Sequence, residues 1–195
     1  MSTDSDIILA SRATPTSFGD LYDRHAPAIF RYASSRVGAL AAEDVMAETF
    51  LVAFRRRASF DHRTDSALPW LLGIATNLLR RHRRDEARRF DALSRTPIDA
   101  PDDELSRAAS RIDAGLEVAR LADSLRALSA ADRDTILLWA WGDLGYEQIA
   151  AAMRVPVGTV RSRLNRARRL LRGASESFQR EDTAHGRADS PAPTA

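Results

Sequence analysis

The chain has 195 residues, 29 basic against 27 acidic, and no cysteine, which excludes a disulfide framework, thiolate metal sites and thiol catalysis. Every basic residue is arginine, and its permanently charged guanidinium explains a pI near 9.6 beside a formal net charge of only +2. The N-terminus carries just a three-residue apolar run, Ile7 to Leu9, so no signal peptide is predicted. No stretch approaches the roughly eighteen apolar residues of a membrane span, and the expected location is cytoplasmic.

Alanine, leucine and arginine dominate while β-branched and aromatic residues are sparse, which predicts an all-α protein. The pattern divides it into two small helical domains joined by a flexible linker. Residues 1–16 read as a flexible tail. Ser17 offers an N-cap with Asp20 as capping-box partner, and Phe18, Leu21, Tyr22, His25, Ile29 and Ala33 follow at helical spacing. Pro27 is expected to kink or divide this helix and Gly38 to end it.

A second helix is expected over about 41–57, with Val45, Met46, Thr49, Phe50, Ala53 and Phe54 as its apolar stripe. Glu43, Asp44, Glu48 and Arg55 lie off that stripe. After a loop at 59–66, a third helix opens with Pro69 in its first turn, where proline is tolerated. It ends in six arginines within residues 80–89. The first domain therefore spans 17–90. Residues 91–112, with Pro97, Pro101 and five acids by position 105, read as the linker.

The second domain spans 113–172. Leu116, Leu121, Leu125 and Leu128 begin it, and Ser129 with Asp132 suggests a capping box before Ile136 and Leu137. Residues 173–195, rich in Ser, Ala, Pro, Thr and charge, read as a disordered tail.

Net charge hides the distribution. Residues 1–50 carry four arginines and seven acids, whereas 54–90 carry ten arginines and four acids, and 154–172 carry seven arginines and no acid. Two basic blocks fit two contacts with a polyanion.

The sharpest local signal is YEQIAAAMRVPVGTVRSRLNRARRLLR, Tyr146 to Arg172. Ile149 and the small Ala150 suit a core that a second helix crosses closely. Val160, Leu164, Ala167 and Leu171 form one helical stripe, and Arg161, Ser162, Asn165, Arg166, Arg168, Arg169 and Arg172 are read on the opposite side. A short helix, a tight turn and a basic second helix fit a helix-turn-helix for the major groove. Arginine and asparagine suit bidentate contact with guanine and adenine edges. The amides of Val157, Gly158 and Thr159, at the helix N-terminus, suit a backbone phosphate.

The run VPVGTVRSRLNRAR, preceded by GYEQIA and ALSAADRDTILL, resembles the −35-reading domain of extracytoplasmic-function sigma factors. FGDLYDRHAPAIFRY, AAEDVMAETFLVAFRR and PWLLGIATNLLRRHRR resemble, in order, that family's core-binding and promoter-melting domain. The resemblance implies that 17–90 binds core RNA polymerase and melts the −10 region, and that 113–172 binds the −35 element. It implies a polymerase-binding face at Asp44, Glu48, Leu51 and Arg55, docking on the clamp region of the largest subunit. It implies −10 contacts from Trp70, Asn77, Arg80, Arg81, Arg83 and Arg84, with the loop Asp61 to Leu68 holding a flipped base. The −35 contacts would fall to Val157, Gly158, Thr159, Arg161, Ser162, Asn165, Arg166 and Arg169. Family members often have glycine where Arg154 stands, and a left-handed backbone there costs about 1–2 kcal/mol. Regulation would come from a separate partner, such as the anti-sigma proteins that commonly sequester family members.

No enzyme is expected. His25, His62, His82 and His185 lack metal-ligand spacing, no phosphate loop or nucleophile elbow is present, and no cofactor is implied. The alternative is a free-standing helix-turn-helix regulator acting without polymerase, which leaves residues 17–90 unexplained.

Overall fold

A computed structural model describes residues 2–93 and 122–185, and all regular structure among them is helical. Thr3 opens it. Its hydroxyl accepts from the Asp6 amide at 3.1 Å, and the Asp6 carboxylate accepts from the Thr3 amide at 2.9 Å. This capping box starts helix α1, Asp4–Ala13. Ile7 and Ile8 are buried on α1, together with the polar Asp4 and Ser11. Residues 4–13 are thus a packed helix where a flexible tail was expected. Two apolar side chains anchor it because a buried carboxylate adds its own bonds to the neighbouring helices.

Ser17 does not cap the next helix by its side chain. A 3-10 turn, Pro15–Phe18, runs straight into α2, Gly19–Arg56. Nor does Pro27 divide α2. The one departure from helical backbone is Gly38, at φ 76° and ψ 167°, a region open essentially to glycine alone. The helix thus breaks at Gly38 as expected, and α2 consists of two helical arms that meet there. After a 3-10 turn, Arg57–Ser59, and a loop, α3 spans Leu68–Leu93 and packs along α2. The Tyr32 hydroxyl meets Thr76 Oγ1 at 2.8 Å within that contact.

Residues 122–127 are helical and lead into α4, Ala130–Ala140. Ser129 caps α4 by accepting from the Asp132 amide at 3.1 Å. The reciprocal half of the expected box is absent, because the Asp132 carboxylate accepts from Arg166 instead. Helix α5, Tyr146–Met153, follows a turn in which the Gly145 amide donates to Gln148 Oε1 at 2.9 Å. Arg154 ends α5 in the left-handed region, at φ 55° and ψ 49°. The Val155 amide donates back to the Ala150 carbonyl at 3.0 Å, satisfying part of the helix end.

Helix α6, Val157–His185, continues beyond residue 172, where the sequence pattern placed a disordered tail. Val160, Leu164 and Ala167 are buried on one face of it, and Leu171 packs beside them. The bulk of the linker, the start of the helix expected from residue 113 with Leu116 and Leu121, and residues 186–195 lie outside the described residues. The two halves touch directly, α3 against α5. A Cβ on Gly73 would sit 2.5 Å from the Ala152 carbonyl oxygen, so the absence of a side chain there permits the approach.

Candidate nucleic-acid interface

The arginine-bearing face of α6 follows from its buried stripe. With Val160, Leu164 and Ala167 inside, Arg161, Ser162, Asn165, Arg166 and Arg169 are exposed. Gly158 is exposed in the first turn, with open space where a Cβ would stand, and Val157 and Thr159 are half-buried beside it. The Ser162 hydroxyl donates to the Thr159 carbonyl at 2.9 Å.

The arginines divide by their bonds. Arg166 spans both oxygens of the buried Asp132, at 2.9 and 3.0 Å. Arg168 stacks over Trp139, 4.5 Å from the ring centroid, and reaches the Tyr146 hydroxyl at 3.3 Å. These two therefore also hold α6 to α4 and α5, whereas Arg161 and Arg169 project from the helix.

On α3, Trp70 is half-buried and its ring lies 5.2 Å from that of Phe60. Asn77, Arg81 and Arg84 are exposed, and Arg83 is half-buried. Arg81 approaches Asp85 at 3.7 Å, and Arg84 Nε donates to the Arg80 carbonyl at 3.3 Å. Trp70, Asn77 and Arg80 line one wall of an open cleft of about 1180 Å³, and Gln148, Met153 and Arg154 line the facing wall. The cleft thus brings part of the expected −10 surface against α5, the first helix of the helix-turn-helix.

The loop expected to hold a base forms one end of this cleft through Asp61, Thr64, Asp65 and Ser66. Arg63 donates to both Asp61 oxygens, at 2.9 and 2.7 Å, and its backbone amide adds a bond at 3.1 Å. These bonds hold the Asp61 carboxyl down at about 2. His62 is not part of the cleft wall. Its Nδ1 lies 2.9 Å from the Ser5 hydroxyl.

Asp44, Glu48, Leu51 and Arg55 are all exposed on the second arm of α2, while Val45, Thr49, Phe50 and Ala53 are buried. Spacings of 4, 3 and 4 residues place the exposed four on one face. Leu51 leaves an apolar side chain between the charges, 47% exposed.

Sequence reasoning did not single out the acid that joins the two halves. Asp134 on α4 is buried and pairs with both Arg36 of α2 and Arg80 of α3. Arg36 also donates to the Tyr32 hydroxyl at 2.9 Å. Burial pushes the Tyr32 phenol up, so it stays neutral and can accept this bond. Burial alone would lower the Arg36 guanidinium, but Tyr32 and Asp134 outweigh it and raise it. The available sequence signal was an acid on an otherwise apolar helix face, at Asp134 between Ala131 and Leu138. Among the described residues, no group of three His, Cys, Asp or Glu side chains could hold a metal ion. No helix among them is long and apolar enough to cross a membrane.

Family models of sigma-70 region 2 and sigma-70 region 4 match residues 21–89 and 119–171. The extracytoplasmic-function sigma factor SigL of Mycobacterium tuberculosis is 35% identical over 159 residues, covering 78% of this chain and 85% of that protein. The corresponding factor BldN of Streptomyces coelicolor is 32% identical over 156 residues, 80% of this chain, but the match spans only 59% of BldN. Among solved structures, CnrH in complex with the cytosolic domain of CnrY has a TM-score of 0.60 and 28% identity, covering 89% of this chain and 99% of that one. The sigma factor RpoE of Bartonella quintana, solved with the anti-sigma factor NepR, shares the fold at a TM-score of 0.60 and 24% identity, over 83% of this chain and 98% of that one.

Proposed function

The chain belongs to the extracytoplasmic-function RNA polymerase sigma factors, and we propose from that premise that it binds core polymerase and directs initiation at promoters with −35 and −10 elements. Its role is recognition and opening of DNA in the cytoplasm rather than catalysis. The observation that carries the reading is the pairing, in one chain, of an exposed Asp44–Glu48–Leu51–Arg55 face with two separate basic helices. A free-standing regulator needs only the second of those helices.

The exposure of each face supports a division of labour. The α2 face docks on the polymerase clamp through its two carboxylates. Arg161, Asn165 and Arg169 enter the −35 major groove from α6, with the first-turn amides near Gly158 turned to a phosphate. On α3, Asn77, Arg81, Arg83 and Arg84 track the non-template strand while Trp70 and the 61–66 loop receive an unstacked base. Stacking and capture of about 1–3 kcal/mol per base offset much of the unstacking penalty.

Engagement of the −10 strand requires the two halves to part, because Arg80 is bound to Asp134 and α5 faces α3 across the cleft. Control by an anti-sigma protein fits this arrangement, since such a partner could hold the halves together.

Run-off transcription on genomic fragments tests the reading, using purified core polymerase with and without this chain. Discrete transcripts that require the chain, and that an Asp44→Arg/Glu48→Arg variant abolishes, support it. Sequence-specific DNA binding without any new transcript would favour the free-standing regulator. At a promoter so found, Arg161→Ala costs about 1–3 kcal/mol with relaxed preference at one −35 position if it reads a base edge. A uniform loss on all sequences would instead identify a phosphate contact.

A further inference from the structure

Helix α1 lies behind the 61–66 loop and holds it at His62 and at both of its flanks, Ala58 and Ala67. Asp4 is 2% exposed, and its Oδ2 accepts from the Ala67 amide at 2.7 Å, at the junction of the loop with α3. The Ala67 carbonyl in turn accepts the first bond of α3, from the Leu71 amide at 2.9 Å. Asp4 thus supplies, from another helix, the carboxylate that in a capping box comes from the N3 side chain. The Ser5 hydroxyl meets His62 Nδ1 at 2.9 Å and donates to the His62 carbonyl at 3.3 Å. Arg12 donates to the Ala58 carbonyl at 3.1 Å, just upstream of the loop.

Asp4 is itself fixed from the far side by Arg24 and by His25 Nε2, at 2.6 Å. Ile7 and Ile8, both buried, keep α1 in place. The opposite side of the loop, Asp61, Thr64, Asp65 and Ser66, opens into the cleft shared with Trp70. A loop held from behind near its start and clamped at both flanks presents its front in one geometry.

We propose that α1 is a splint for the −10 loop, with Asp4 as a positioning residue, Ser5 and Arg12 assisting, that sets promoter selectivity at the −10 element without touching DNA. This rests on the sigma-factor reading above.

The test uses holoenzyme made from core polymerase and the full chain. The templates carry a fixed upstream sequence, from a promoter the chain transcribes, ahead of randomised −10 positions. A correct over an incorrect base at a recognised position is worth roughly 5- to 150-fold in such systems. Asp4→Ala is expected to compress this preference to within about threefold, with unchanged −35 preference and unchanged competition for core. Ser5→Ala, which removes only the His62 contact, should compress it partly and folds even where Asp4→Ala does not. Thr3→Ala weakens the α1 cap but leaves all three loop contacts, and should preserve the preference. Hydrogen exchange of residues 60–67 should quicken in the first two variants.

Uniform loss of transcript from every template, or an unchanged −10 ranking in Ser5→Ala and Asp4→Ala, overturns the proposal and leaves α1 a stabilising helix. Absence of any chain-dependent transcript with the unmodified chain overturns the sigma reading itself, before any variant is compared.

Discussion

Asp134→Ala tests how the two halves are joined. The Asp134 side chain is 1% exposed and that of Arg36 4%, whereas that of Arg80 is 37% exposed. Both arginines belong to the N-terminal half and Asp134 to α4. Without the carboxylate, Arg36 stays buried with the Tyr32 hydroxyl as its remaining polar contact. Breaking a buried pair in this way costs about 3–5 kcal/mol, whereas Arg80 can turn to solvent and adds only about 0–1 kcal/mol.

When the halves separate, both arginines are hydrated whether or not Asp134 is present. The penalty therefore falls on the closed arrangement alone. At about 1.4 kcal/mol per decade, the closed–open balance moves by roughly two to four orders of magnitude. Small-angle scattering should show a larger radius of gyration for Asp134→Ala, with helical circular dichroism retained. Adding Arg36→Ala should restore part of the closed population, because it removes the buried charge that Asp134→Ala left uncompensated. An unchanged radius of gyration with loss of helical signal would refute the reasoning, placing the role of Asp134 within its own half.

Three further outcomes follow from particular contacts. Arg166→Ala deprives the Asp132 carboxylate, 3% exposed, of its guanidinium and should destabilise the C-terminal half by about 1–3 kcal/mol, read as a lower Tm. Asn165→Ala should alter DNA binding with no such shift. Gly73→Ala places a Cβ against the Ala152 carbonyl and should expand the molecule in scattering, leaving its helix content intact. Burial alone would raise the Asp4 carboxyl, but the Ala67 amide, His25 and Arg24 outweigh it and hold it below the usual value of 3.8. Its contribution is thus complete above about pH 3.8 and lost as pH falls through the lower native value. Exchange protection of residues 60–67 should persist to about pH 3.8 and decline progressively below it, and Asp4→Asn should flatten that response.

The helix-turn-helix was legible because its information is local. Val160, Leu164 and Ala167 recur at helical spacing, and the arginines take what remains of the helix surface. The α2 face at Asp44, Glu48, Leu51 and Arg55 was legible for the same reason. Helix α1 was not, because its anchoring is long-range. Asp4 finds partners 20, 21 and 63 residues away, and no window of sequence contains them. Asp132 misleads in a related way, since a capping-box pattern predicts a local bond and its carboxylate reaches 34 residues on, to Arg166. Charge alone marks Arg80 and Arg166 as nucleic-acid contacts, but each already has a carboxylate in this structure.

That occupancy changes what salt should do. An arginine that meets a phosphate from bulk water displaces a condensed cation from the DNA, and log affinity falls with log salt by about 0.9 per such contact. Arg80 and Arg166 start instead from internal carboxylates, Asp134 and Asp132. Transfer of either to phosphate would leave a protein anion behind, which would gather a cation of its own as the nucleic acid sheds one. The isolated chain should therefore show a shallower ionic-strength dependence of DNA binding than its arginine count suggests.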